Sequence, residues 1–238
     1  MLESIPLETI GYALLGGVLP AVLWLHFLLK EDARCPEPRS LIIIAMIAGM
    51  LAVPASLPLQ TFFAHTLSSG LPVIVAWASV EEVMKYLLAS LLVLWRRSVN
   101  ETIDLVIYMV TIALGFAALE NALFLIGPFM DGRIVDGLVT NNLRFVGSTL
   151  LHVIASSIIG FALALSYLKT RIVRAVYATV GLILAIALHA LFNFLIIAPG
   201  GSHTLTAFFV VWSGAIVFFA LFEILKYFRY RHLPKNTC

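Results

Sequence analysis

Glu81, Glu82 and Lys85 lie within one helical turn of each other in the run Ala78-Ser-Val-Glu-Glu-Val-Met-Lys-Tyr86, inside an apolar stretch. Other ionisable or polar groups interrupt later apolar stretches: Glu120 and Asn121 in Gly115-Phe-Ala-Ala-Leu-Glu-Asn-Ala122, His152 alone, and His189 with Asn193 in Leu188-His-Ala-Leu-Phe-Asn193. A charge near the centre of a bilayer costs about 2.5–3.5 kcal/mol even on insertion scales, so buried acids and bases of this kind are functional candidates. Three carboxylates, two imidazoles and two amides suit peptide hydrolysis, which needs a base for water, donors for the oxyanion and an acid for the leaving amine. Glu81 or Glu82 would be the base, Asn193 and one histidine the oxyanion donors, and the other histidine or Glu120 the proton shuttle. The same residues also suit a divalent metal such as zinc, with Glu81, Glu82, His152 and His189 as candidate ligands and the ion as Lewis acid. Both routes, metal-assisted and metal-free, are open to this set.

Spacing says which groups cooperate. Glu81 and Lys85 are i,i+4 in the favourable acid-before-base order, so the lysine is expected to neutralise Glu81 while Glu82 points about 100° away. His189 and Asn193 share a face by the same rule. So do Phe116 and Glu120.

The elements that must carry these groups are membrane helices. The chain is 61% hydrophobic and 12% charged, with a mean hydropathy of +1.03. Such a composition excludes a soluble enzyme, a disordered chain and a coiled coil. Two cysteines cannot staple a secreted module, and a formal charge of +2 gives no basis for binding nucleic acid. Windows long enough to cross about 30 Å of hydrocarbon run at 7–29, 41–64, 71–95, 103–128, 143–168, 173–198 and 204–227. The first is expected to be a retained span rather than a cleaved signal, because no basic residue precedes it. The expectation is an all-α, polytopic transmembrane bundle of about seven spans, a single domain over 1–238. Its working core is 71–198, with flanking helices 7–29, 41–64 and 204–227.

Twelve of the fifteen basic residues fall on one side of that arrangement, among them Lys30, Arg96, Lys169 and Lys226. The bias puts the N-terminus outside and the C-terminus in the cytoplasm of a cell-membrane protein. Cys35 and Cys238 then lie on the cytoplasmic side. Counted from the outer end of each span, Glu81, Glu120, His152 and His189 share a layer roughly 12–15 Å deep. Four antiparallel helices that place acid, acid, imidazole and imidazole at one depth are hard to explain by packing, where leucine would serve better. Pro54 and Pro58 are expected to kink the second helix, and Phe129–Asn142, with two Asp-Gly pairs, is expected to be a turn-rich outer loop.

Other intramembrane protease chemistries find no support. The chain has no His-Glu-x-x-His, no Gly-x-Gly-Asp and no Gly-x-Ser-x-Gly. Glu81-Glu82-x-x-Lys85, Asp104-x-x-x-Tyr108, Phe116-Ala-x-x-Glu120-Asn121, Arg144 followed by His152, and His189-x-x-x-Asn193 together resemble the PrsW family of intramembrane proteases. That family is similar to the CAAX prenyl endopeptidases, whose pattern is Glu-Glu-x-x-x-Arg, Phe-x-x-x-His and His-x-x-x-Asn. The likeness covers Val75 to Ile197. It implies that Glu81 and Glu82 are the essential pair, that His152 and His189 are the motif histidines, and that the substrate is a membrane-anchored protein of the anti-sigma-factor kind. Glu120 stands where the CAAX enzymes have histidine, so a water-activating Glu/His pair must take its histidine from another helix. Asn121, Phe116 and Lys85 would support the site.

The rival reading from another class is a proton-coupled transporter or channel, which also places acids and histidines in the membrane. A conduction path should continue toward the cytoplasm. Here the inner half offers little besides Asp104 and Tyr108; these two and Arg144 are expected either to serve helix packing or to support site residues from behind.

Overall fold

Backbone polar groups in hydrocarbon must pair within their own segment, and the long Leu/Ile/Val/Ala runs satisfy this as helices. The computed structural model describes residues 5–31, 36–197 and 202–232; Cys35 and Cys238 lie outside the described residues. Eight α-helices follow in order: α1 (Leu7–Glu31), α2 (Arg39–Thr66), α3 (Leu71–Leu92), α4 (Thr102–Met130), α5 (Ile134–Arg144), α6 (Leu150–Leu165), α7 (Arg171–Ile197) and α8 (Thr204–His232). A π-helical turn, Phe145–Thr149, joins α5 to α6. There is no strand among the described residues.

The centre of the bundle is α4. Every residue from Ile103 to Ala118 is buried, so this helix shows no polar stripe. Its first turn is set by a reciprocal capping arrangement between Glu101 and Asp104, which satisfies donors that the helix itself cannot. Around it pack α1, α2 and α6, while α3 bridges α2 and α7, and α8 closes on α6 and α7. Small residues let the backbones touch. A Cβ on Gly49 would stand 2.0 Å from the Ile112 carbonyl oxygen, and one on Gly115 would stand 2.1 Å from that of Met46. The crossing of α2 and α4 therefore has no room for a side chain.

Six helices, α1, α2, α4, α6, α7 and α8, are long and apolar enough to cross a membrane. The remaining long helix, α3, has 22 residues but carries Glu81, Glu82 and Lys85, all buried. Large apolar side chains such as Leu19, Phe27, Ile183, Phe209 and Ile216 cover the outside of the bundle, where a soluble protein would place charge. The fold is an all-α, multi-pass membrane bundle.

Two local expectations change. The expected outer loop is mostly helix, since α4 runs to Met130 and α5 begins at Ile134. Only the first Asp-Gly pair makes the turn, with Gly132 at φ +69°. The second falls in the first turn of α5, where Asp136 is favourable and where a Cβ on Gly137 would meet the Phe129 ring at 2.6 Å. The third span stops at Leu92 rather than residue 95, and the Arg96 Nε–H donates to the Leu92 carbonyl at 3.1 Å. Pro54 and Pro58 lie inside α2, which continues through both from Arg39 to Thr66. Within it Ser56 Oγ and Thr61 Oγ1 donate to carbonyls four residues back.

Candidate active site

The middle of α3 points two carboxylates and an ammonium into the bundle, where Glu82 and Lys85 are fully buried and Glu81 is 6% exposed. Lys85 does not pair with Glu81. Its Nζ donates to Glu82 Oε1 at 2.5 Å, an i,i+3 contact in place of the expected i,i+4 one. Both spacings lie on one helix face, and burial decides between them: Glu82 has no access to water and needs a counter-charge. Lys85 Nζ also lies 3.1 Å from His152 Nδ1 and 4.8 Å from the centre of the Phe116 ring.

Glu82 has a second partner across the bundle. His189 Nδ1 is 2.7 Å from the same Oε1. A carboxylate can only accept, so this nitrogen carries the proton and Nε2 keeps its lone pair. That Nε2 is 3.6 Å from Glu81 Oε2. The other oxygen of Glu81 accepts from Gln60 Nε2 at 2.8 Å. The two imidazoles meet edge to face with centroids 5.0 Å apart, and Phe116 lies 5.0 Å from His152 on its other side.

Glu120 links this centre to α5. It accepts from Arg144 Nη2, and His152 Nε2 lies 3.2 Å from the same oxygen. Arg144 stacks on Phe124 at 3.7 Å and donates from Nε to Asn121 Oδ1 at 2.8 Å. Asn121 in turn donates to Thr149 Oγ1 at 2.9 Å. Arg144, expected to serve packing or to support the site from behind, fixes the orientation of Glu120 and clamps α4 to the π-helical turn.

A cavity of about 750 Å³ opens beside these groups. Glu81, Phe116, Glu120, His152, His189 and Asn193 line it, whereas Glu82, Lys85 and Asn121 stand behind them. All nine singled-out residues therefore fall in or around one site. Asp104 and Tyr108 do not join it. Asp104 Oδ2 accepts the backbone N–H groups of Asn100 and Glu101 at 2.9 Å each, and the Tyr108 hydroxyl donates to Glu37. Gln60 belongs to none of the motifs, and a lone amide in the outer part of an apolar span is the signal it gives in the sequence.

Glu81, His152 and His189 each bring one potential ligand atom within 4.8 Å of the others. Two imidazoles and a carboxylate beside open space suit a catalytic divalent ion. Glu81 Oε2 is buried without a hydrogen-bond partner, and Glu82 holds His189 from behind as carboxylates do behind metal-binding imidazoles. On these grounds the donor set fits a metal.

The chain is 24% identical over 194 residues to Protease PrsW of Bacillus subtilis (strain 168), covering 77% of this chain and 82% of that protein. It is 26% identical over 229 residues to Protease PrsW of Oceanobacillus iheyensis, covering 93% and 96%. It is also 26% identical over 186 residues to the Protease PrsW of Geobacillus kaustophilus, covering 77% and 79%. No solved structure matches. The model of the PrsW family of intramembrane metalloproteases matches residues 37–222, a stretch that begins just before α2, ends inside α8 and takes in every side chain around the cavity. The chain belongs to the PrsW family of intramembrane metalloproteases and is a multi-pass peptide hydrolase of the membrane.

Proposed function

We propose that this protein cleaves a peptide bond of a membrane-anchored protein inside the bilayer, with Glu81 and His189 at the point of attack. The supporting observation is that a buried carboxylate with an unpartnered oxygen faces an imidazole lone pair at 3.6 Å, beside a cavity with Trp77, Phe116, Phe192 and Ile196 in its walls. An apolar cavity with few convergent polar groups is what an unwound hydrophobic segment requires. A divalent ion held by Glu81 and His189 would act as Lewis acid on a carbonyl oxygen or on water.

The chain's own groups account for the rest. Gln60 holds Glu81 by one oxygen and leaves the other facing the cavity, as ligand where an ion is bound and as base toward water where none is. Glu82 keeps His189 in the tautomer that directs Nε2 at the reacting atoms. Asn193, one turn beyond His189, supplies an amide donor from the cavity wall for the developing oxyanion. The walls exclude bulk water and so strengthen each of these interactions.

Seven spans with the N-terminus outside would place the cavity in the extracytoplasmic half, and the substrate would be of the anti-sigma-factor kind. A transporter would need polar lining toward the other face, but the lining reaches no deeper along the bundle than Val53 on α2, Phe116 on α4 and His189 on α7. The test compares membrane-protein fragments released by cells carrying the wild-type protein or Glu81→Gln. Fragments should disappear with Glu81→Gln while the protein still inserts. Retained cleavage by the purified Glu81→Gln/His189→Ala double variant overturns the reading.

A further inference from the structure

The hydrogen-bond partners of the two imidazoles differ in sign. His189 faces a carboxylate through Nδ1 at 2.7 Å, and an acceptor there means that Nδ1 holds the proton. His152 faces an ammonium through Nδ1 at 3.1 Å, and an ammonium has protons to give and no lone pair to offer. The proton of a neutral His152 must then sit on Nε2, which lies 3.2 Å from Glu120 Oε2, again a pure acceptor. Both contacts of His152 agree on one tautomer. It is the opposite of the His189 tautomer.

The donors of Lys85 are accounted for in the same way. One N–H goes to Glu82 Oε1 at 2.5 Å, one to His152 Nδ1, and the third side of the ammonium faces the Phe116 ring, 4.8 Å from its centre. A fully buried ammonium with an anion, an imidazole lone pair and an aromatic face around it has no reason to turn away. Glu120 is held equally firmly on the other side by Arg144.

We propose that Lys85 is a positioning residue that fixes His152 as the Nε2–H tautomer, so that His152 is a hydrogen-bond donor of the site and Glu81 with His189 are the metal-facing pair. Imidazole binds a metal through a lone pair, and in this tautomer neither nitrogen of His152 has one free. The three-residue group that proximity picks out is therefore two acceptors and one donor. A donor beside a Lewis-acid or base pair is what a tetrahedral intermediate or a departing amine needs. The assignment rests on the proposed hydrolysis only for that final use; the tautomer itself follows from Lys85 and Glu120 alone.

The test is ¹⁵N NMR of histidine-labelled full-length protein in lipid bilayers, with the His152 signals assigned by their loss in His152→Gln. The metal-free protein should show a pyridine-type Nδ1 and a pyrrole-type Nε2 for His152, and the reverse pattern for His189. Zinc added alone should move the His189 Nε2 signal and leave the His152 Nε2 proton in place. Lys85→Arg, which keeps a donor at the same place, should preserve the His152 pattern; Lys85→Met, which leaves Glu120 alone to hold the Nε2 proton, should convert part of it to the Nδ1–H form, and an unchanged pattern in Lys85→Met assigns the tautomer to Glu120 and overturns the role of Lys85. A wild-type His152 with its proton on Nδ1, or loss of the Nε2 proton when zinc binds, overturns the assignment even if every variant folds poorly. Because no readout is proteolysis, a protein that passes this test yet cleaves nothing would count against the hydrolase mechanism and not against the tautomer.

Discussion

Replacing Glu82 by leucine should destabilise the protein severely, and replacing Lys85 as well should restore most of the loss. Both side chains are fully buried and 2.5 Å apart. Removing one partner of such a pair strands the other charge, at a cost of about 3–5 kcal/mol in soluble proteins. An unpaired lysine in the middle of a membrane helix costs about 2.5–3.5 kcal/mol on insertion scales. The two figures converge near 3 kcal/mol, roughly a hundredfold in the folded/unfolded ratio. Glu82→Leu/Lys85→Leu removes both charges and leaves two apolar groups, which is often close to neutral. What remains unrepaired is the Nδ1–H of His189, an orphaned donor worth about 1–3 kcal/mol that Glu82→Leu and the double variant share. The double variant should therefore recover about 3 kcal/mol relative to Glu82→Leu, the cost of the stranded charge, while remaining inactive. Reversible unfolding in mixed micelles, followed by circular dichroism for wild type, both single variants and the double variant, measures this. A Glu82→Leu cost below about 1 kcal/mol, or a double variant less stable than either single one, would refute the claim that the pair is a buried charge couple.

Further outcomes follow from the same contacts. Gln60→Ala removes the one hydrogen bond to Glu81 Oε1 and should reduce cleavage roughly tenfold, in line with about 1.5 kcal/mol for a bond to a charged group, with unfolding nearly unchanged. Gly115→Val drives a side chain into the Met46 carbonyl and should cost about 1–3 kcal/mol or more, whereas Gly11→Ala, with nothing within 4 Å of the new methyl, should be neutral or slightly stabilising. Ser148→Trp fills space in the cavity wall and should block cleavage of a substrate with a bulky flanking residue more than of one with alanine there, as measured by relative kcat/KM. Removing metal with a chelator should abolish activity, and zinc analysis of the active protein should return about one ion per chain.

The site was legible because lipid makes polarity conspicuous. Glu81, Glu120, His152 and His189 stood out against apolar surroundings, and counting depth at a fixed rise per residue was enough to bring them to one layer. Partner choice was not legible. Both Glu81 and Glu82 are within reach of Lys85 along α3, and what selects Glu82 is its complete enclosure by other helices, which spacing along one helix does not encode. The sequence leaves Arg144 open between packing and a supporting role, and its guanidinium crosses from α5 to Glu120 and Asn121 on α4. The loop before it was misread because Asp-Gly is a turn signal only where the glycine must be left-handed. That holds at Gly132 and fails at Gly137, where the missing side chain serves close contact with Phe129.

The π-helical turn at Phe145–Thr149 has a consequence for how this chain can vary. A wider turn carries one residue more than the ordinary helix for nearly the same advance, so it resets the angular phase of everything after it by about 100°. His152 sits three residues downstream, and its direction toward Lys85 and Glu120 is therefore written in a residue count as much as in residue identities. A one-codon deletion between 145 and 149 would let the segment relax to regular geometry and swing the imidazole off its axis, even with every cavity-lining side chain intact.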